Sequence, residues 1–225
     1  MSTVTNYYSP SFTAVVFGSP TRQPSSETFS TIRAGVGTNL LPQLAGVLGA
    51  STTTNQYNFL ARGVMTFDTS SIPGGATITS ATINMLANSG SSKLGGLGTT
   101  SLELCSATPA SSISVASSDY DKLGTTSFGS ISYASFTDNA QNTFTLNSSG
   151  LTYINKGGST SFGVRLGWDL NNSFGGSWVT VQATQLIAAG GTAYPILTVN
   201  YTVDFPTLSV NNISSLSNVT TITTS

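Results

Sequence analysis

The chain contains no histidine and only one cysteine, Cys105. Without an imidazole there is no ordinary general base and no common transition-metal ligand, so Ser–His and Cys–His catalysis and a conventional zinc site are excluded. A lone cysteine cannot close an internal disulfide, so stability has to come from the core, and Cys105 within SLELCSA reads as a small buried apolar residue. Charge is equally scarce, at 7% of residues against about 25% in ordinary globular chains. A net charge of −1 offers no basic surface for nucleic acid or an anionic membrane. No run of about 18 apolar residues is present, so no membrane-spanning helix and no membrane insertion are expected. The opening MSTVTNYYSPSFTAVVFGS lacks a basic segment followed by an apolar stretch of signal-peptide length, and reads as having no leader.

In place of charge stand Ser, Thr, Asn and Gly, with 38% hydrophobic residues. That balance suits a packed β-fold with a neutral, hydroxyl-rich surface, and does not suit disorder. Period-2 alternation predicts strands at Ser11–Phe17, Thr28–Ala34, Arg62–Asp68, Ile78–Leu86, Ser101–Ser106, Ser127–Tyr133, Asn142–Leu146, Phe162–Asp169, Val179–Ala183 and Pro195–Tyr201. Asn39–Ala50 has helix-like content, but Pro42 and Gly46 interrupt it, which predicts an irregular apolar loop or a short strand pair. Asp119–Gly124 reads as a polar turn, and Asn147–Ile154 as a single helical turn. About ten short strands between polar turns predict an all-β, antiparallel two-sheet β-sandwich of jelly-roll type. Composition shifts at Asp204, dividing the chain into a domain at 1–203 and an extended Ser/Thr/Asn-rich tail at 204–225. The tail is open to a plain reading, a frayed end, and a sharper one, a strand that adds to a neighbour's sheet or the start of another domain.

The stretch from Arg62 to Leu86 is the most distinctive. Arg62-Gly63 leads into Phe67-Asp68-Thr69-Ser70-Ser71-Ile72-Pro73-Gly74, and Ala76-Thr77-Ile78-Thr79-Ser80-Ala81-Thr82-Ile83 resumes the sheet. This pattern of arginine-led strand, FDTSSIPG corner and second strand resembles the DNRLRE-type β-sandwich domain, also classed among carbohydrate-binding modules. Asp119-Tyr120, Leu146–Leu151, Phe162–Arg165 and Pro195–Tyr201 fall where such domains carry comparable blocks. The usual aspartate-led opening strand has no counterpart at Ser11–Phe17. The resemblance implies a jelly-roll-like binding or spacer module of secreted, cell-surface or phage-associated proteins.

Eight acidic residues are available for chemistry: Glu27, Asp68, Glu103, Asp119, Asp121, Asp138, Asp169 and Asp204. None is spaced as a catalytic carboxylate pair. Asp68 precedes Ser-Ser-Ile-Pro, where its side chain would accept backbone N–H bonds in an Asx-turn. Asp119 and Asp121 are candidate Ca²⁺ ligands on the Asp-x-Asp pattern, against the plainer reading of a solvated turn. Arg62 and Arg165 sit in apolar strands and need partners, with Asp68 or Asp169 expected to pair with them. Trp168 and Trp178 flank the loop DLNNSFGGS and, with Asn171 and Asn172, form a candidate glycan-contact set; core filling is the competing role.

These features lead to a non-enzymatic structural or display protein of a virion, such as a capsid decoration, head fibre or tail component. Glycan adhesion and homo-oligomer formation are expected with it, and other virion or surface proteins are its partners through the tail. The alternative is a carbohydrate-binding or spacer module of a secreted or cell-surface protein. An enzyme fits least.

Overall fold

The computed structural model describes residues 3–87, 93–178, 181–190 and 193–206. The fold is all-β and antiparallel, a sheet system curled into a half-barrel. Its elements in chain order are β1 (Thr3–Tyr8), β2 (Ser11–Arg22), α1 (Phe29–Ala34), β3 (Asn39–Leu41), β4 (Gln43–Ala50), β5 (Tyr57–Ala61) and β6 (Gly63–Asp68). There follow β7 (Thr77–Ala87), β8 (Lys93–Gly95), β9 (Ser101–Ser106), a 3-10 turn at Ser117–Asp121, β10 (Gly129–Ser132) and β11 (Ala140–Thr145). The chain continues through α2 (Ser148–Tyr153), β12 (Ser159–Leu166), α3 (Gly167–Asn171), β13 (Ala183–Gly190) and β14 (Ile196–Pro206).

The curl comes from β2. Its first residues pair with β14, its middle with β6 and its last with β3 and β5, so one long strand passes from one sheet region to the next. A register shift between Ala14 and Val16 gives β2 the local bend that this passage needs. The regions it joins are β1–β14–β7–β11, β10–β9–β12–β6 and β5–β4–β13–β8. They enclose one main core that includes Leu48, Leu60, Met65, Phe67, Ile83, Leu104, Phe144, Phe162 and Leu197.

Several expected elements change character. Thr28–Ala34 alternates like a strand, yet Phe29–Ala34 is a helix. The Thr28 hydroxyl accepts from the Thr31 amide and caps it, and Ile32 turns into the core. Asn39–Ala50 resolves into the strand pair β3 and β4. All seven residues Leu44–Ala50 are buried, because β4 has apolar cover on both faces: Leu44 and Leu48 in the main core, Ala45 and Val47 in a small outer cluster with Ala61, Phe59 and Ile187. Period 2 vanishes from the sequence of a strand buried on both sides. The strand at Phe162–Asp169 ends at Leu166, and Gly167 starts α3, which closes at Asn172 in the left-handed region (φ 52). Of the strand expected at Val179–Ala183, residues 179–180 lie outside the described residues and β13 begins at Ala183. β1 carries no strong alternation in the sequence but pairs fully with the end of β14, from Thr3 opposite Pro206 to Tyr8 opposite Tyr201. Residues 204–206 therefore belong to a strand, and the rest of the expected tail, 207–225, lies outside the described residues.

Candidate functional site

The densest polar chemistry surrounds Asp169. Arg62 stands at the junction of β5 and β6, Arg165 on β12, Asp169 one turn away on α3 and Arg33 on α1. Arg62 donates through Nε and Nη2 to the two Asp169 carboxylate oxygens, at 2.7 Å each. Arg165 donates to the same two oxygens at 2.8 Å each. Arg33 reaches the Asp169 carbonyl at 2.6 Å, and its Nε lies 3.5 Å from the carboxylate. Three guanidinium groups thus share one carboxylate, a formal surplus of two positive charges. Backbone carbonyls offset it: those of Tyr120 and Arg33 accept from Arg62, and that of Gly124 accepts from Arg165. The Arg62 guanidinium also lies over the Tyr120 ring, 4.1 Å from its centroid, and the Tyr120 hydroxyl donates to the Ile32 carbonyl at 2.6 Å.

Asp169, Arg62 and Arg165 are all buried. Burial alone would raise the Asp169 pKa, but the charge of Arg62 and the hydrogen bonds from both arginines outweigh it, so the carboxyl titrates below its ordinary range. Of the expected pairings, Asp169 takes both arginines. Asp68 takes neither: it is exposed at the end of β6 and accepts the Ser70 amide at 3.0 Å, holding the corner as an Asx-turn. Arg33 and Tyr120 also belong to the cluster; the sequence does not single out Arg33, and it marks Tyr120 only as part of the Asp119-Tyr120 block, not as a partner of Arg62. Their signal is faint, an arginine in the apolar run TIRAG and a tyrosine between two aspartates.

The candidate Ca²⁺ pair does not come together as a cradle. Asp119 is buried with its oxygens accepting the Ala110 and Ala116 amides at 3.0 and 2.9 Å, whereas Asp121 faces outward beside Lys122 at 3.2 Å. Each Asp119 oxygen is thus held by a backbone donor and directed into its own loop, away from Asp121. Among the described residues no group of three or more His, Cys, Asp or Glu side chains is placed to share a metal ion.

The Trp loop folds inward. Phe174, absent from the expected glycan set, inserts between Trp168 (centroids 4.7 Å apart), Tyr57 (5.4 Å) and Phe29 (5.5 Å). Trp168 and Trp178 are half-buried against the main core, and Asn55 clamps the Trp178 backbone by accepting its amide with Oδ1 and donating to its carbonyl. Asn171 and Asn172 are exposed at the end of α3. The four residues therefore do not form one open aromatic platform.

The described surface carries several recesses, and two of them matter here. One, of about 470 Å³, lies on the outer face of β4, β5 and β13. Its floor includes Val47 and Phe59, its rim carries the amides Gln43, Asn58 and Gln182, and no lining residue is charged. The other, of about 310 Å³, is bordered by Ser111, Ser112, Tyr153, Asn155, Ser159 and Ser161. Both offer neutral hydrogen-bonding groups.

No protein-family model matches the chain, and comparison with curated proteins finds no significant match.

Proposed function

We propose that the chain is a non-enzymatic structural or display protein of a virion, a capsid decoration, head fibre or tail component. The observation that carries this reading is how the acidic side chains are spent. Asp169 is locked by arginines, Asp119 by backbone amides, Asp68 by its own turn and Glu27 by Arg22. Glu103 accepts from the Ser101 and Ser127 hydroxyls, and Asp204 from Thr5. Each carboxylate so held supports the scaffold instead of waiting for a substrate. Stability also rests on packing and this ion cluster, with Cys105 buried as a free thiol. Such a fold can form in the reducing cytoplasm of a host and function after release into an oxidising exterior. The curled sheet is read further as a jelly-roll-type sandwich related to the DNRLRE domains. Mass spectrometry and immunogold labelling of purified particles test the proposal. Labelled particles support it; the protein found free of particles overturns it.

A second reading, a carbohydrate-binding or spacer module of a secreted or cell-surface protein, draws on the uncharged recess of Phe59, Asn58 and Gln182. An apolar floor ringed by amides suits neutral sugars. Binding on a glycan array that Phe59→Ala abolishes, with folding intact, would favour that reading.

A further inference from the structure

We infer that the free edge of β1 pairs with β1 of a second copy of the chain, antiparallel across a two-fold axis. Edge strands present unpaired N–H and C=O groups, and natural proteins blunt them with charge, proline, bulges or shortness. The other edges here are treated in those ways. β3 and β8 are three residues long, β8 begins with Lys93, and β10 has four residues. β11 is longer but abutted: Gly129 of β10 approaches so closely that a Cβ there would lie 2.4 Å from the Thr145 carbonyl oxygen, and the Asn147 amide donates to the Phe128 carbonyl. The Asn142 side chain closes the other end of β11, bonding Thr137 from both its amide and its oxygen.

Among the described residues β1 has none of these protections. Its six residues, TVTNYY, include no charge, proline or glycine, and all six are in continuous register with β14 on one side. Among the described residues no backbone hydrogen bond leaves β1 for any element other than β14. The strand is also held in shape before any partner arrives. Tyr8 stacks on Tyr201 with centroids 5.1 Å apart, and the Thr5 hydroxyl donates to Asp204 at 2.6 Å. Tyr7 is 82% exposed, the most open large apolar or aromatic side chain among the described residues.

The occupant follows from self-complementarity. In a two-fold antiparallel pair each outward N–H meets the carbonyl of the same strand in its mate. An uncharged strand meets no like-charge repulsion from its own copy. An edge whose register with β14 is free of bulges offers main-chain pairing, which an identical strand meets along its full length. The result is an eight-stranded sheet in the order β11–β7–β14–β1, then the same four reversed. The inference concerns assembly and stands apart from where the assembled protein is displayed.

Sedimentation velocity across a wide concentration range tests it, together with hydrogen exchange of the Thr3–Tyr8 amides. The wild-type chain should dimerise, with the outward-facing Thr5 and Tyr7 amides protected at high concentration and exchanging freely on dilution, while the amides bonded to β14 stay protected in both states. Tyr7→Lys, at a solvent-facing position, should raise the dissociation constant by at least about tenfold while leaving near-UV circular dichroism unchanged. Tyr7→Pro, which removes an outward-facing main-chain donor and adds a ring to the edge, is the second variant. A wild-type chain monomeric throughout, a dimer that survives both substitutions, or a dimer with freely exchanging Thr5 and Tyr7 amides would overturn the inference.

Discussion

Asp169 and Arg62 stand 107 residues apart in sequence, yet the Arg62 guanidinium donates to each Asp169 carboxylate oxygen at 2.7 Å inside the protein. With Arg165 on the same two oxygens, this contact joins the β5–β6 junction, β12 and α3 at one point. Removing the carboxylate would strand three guanidinium groups. Asp169→Asn should therefore cost about 3–5 kcal/mol in urea unfolding. Adding Arg62→Met and Arg165→Met to Asp169→Leu should cost less than the single change, because the two buried guanidinium groups are then gone and the more exposed Arg33 keeps the carbonyls of residues 169 and 170. An additive loss across the series would contradict the shared-carboxylate account.

Acid sensitivity follows from the same group. The folded-state pKa of Asp169 is depressed, so its contribution is fully present above the unfolded carboxylate value of about 3.9 and is lost as pH falls through the lower folded value. Unfolding free energy attributable to Asp169 should be flat from neutral pH down to about pH 5 and decline below about pH 4. The difference between wild type and Asp169→Asn, measured at each pH, isolates this contribution and should shrink toward the acid end.

Cys105 lies beneath Leu123 and beside Gly163, at a spacing that leaves no room for a Cβ on Gly163 (2.6 Å to Leu123 Cδ2 and 2.9 Å to Cys105 Sγ). Burial pushes the Cys105 thiol up to about 12. The native protein should resist iodoacetamide at pH 8 and react fully once unfolded in urea, as read by intact mass. Gly163→Ala should destabilise the fold by about 1–3 kcal/mol through overpacking.

The two tryptophans should behave differently. Trp168 fills space against Phe174, so Trp168→Ala should cost about 2 kcal/mol, somewhat below the 3–5 of a fully buried aromatic. The Trp178 indole N–H is buried without a hydrogen-bond partner among the described residues. Trp178→Phe removes that unsatisfied donor while retaining a ring, and thermal melting should show a change within about 0.5 kcal/mol of zero.

Much of the fold is legible in the sequence wherever one face of a strand meets water. β7 and β11 alternate because their outer residues, such as Thr82, Asn84, Thr143 and Thr145, are more open than the buried Ile83, Met85 and Phe144 between them. Legibility fails where this asymmetry is missing. β4 is apolar on both sides, and β1 takes its state from β14 more than from its own pattern. The candidate site divides in the same way. Arginines in apolar strands announce a need for a partner, and the sequence narrows that partner to Asp68 or Asp169. The choice between them depends on the α3 turn that brings Asp169 back over Arg165, which a local reading takes as more strand. Phe174 hides for a related reason: in a loop of Asn, Ser and Gly, nothing local reveals that Phe29 and Tyr57 wait for it.

The register of β1 against β14 has a mechanical consequence. Thr3 lies opposite Pro206, so a load drawing these residues apart acts across the ribbon from its end. The bonds break one after another, as in unzipping, at far lower force than a strand sheared along its length. Peeling would halt near Tyr8 and Tyr201, where the aromatic stack begins and β14 gains β7 as a second neighbour. The ribbon is thus a built-in compliant leader, a short length that yields under tension and spares the curled body behind it.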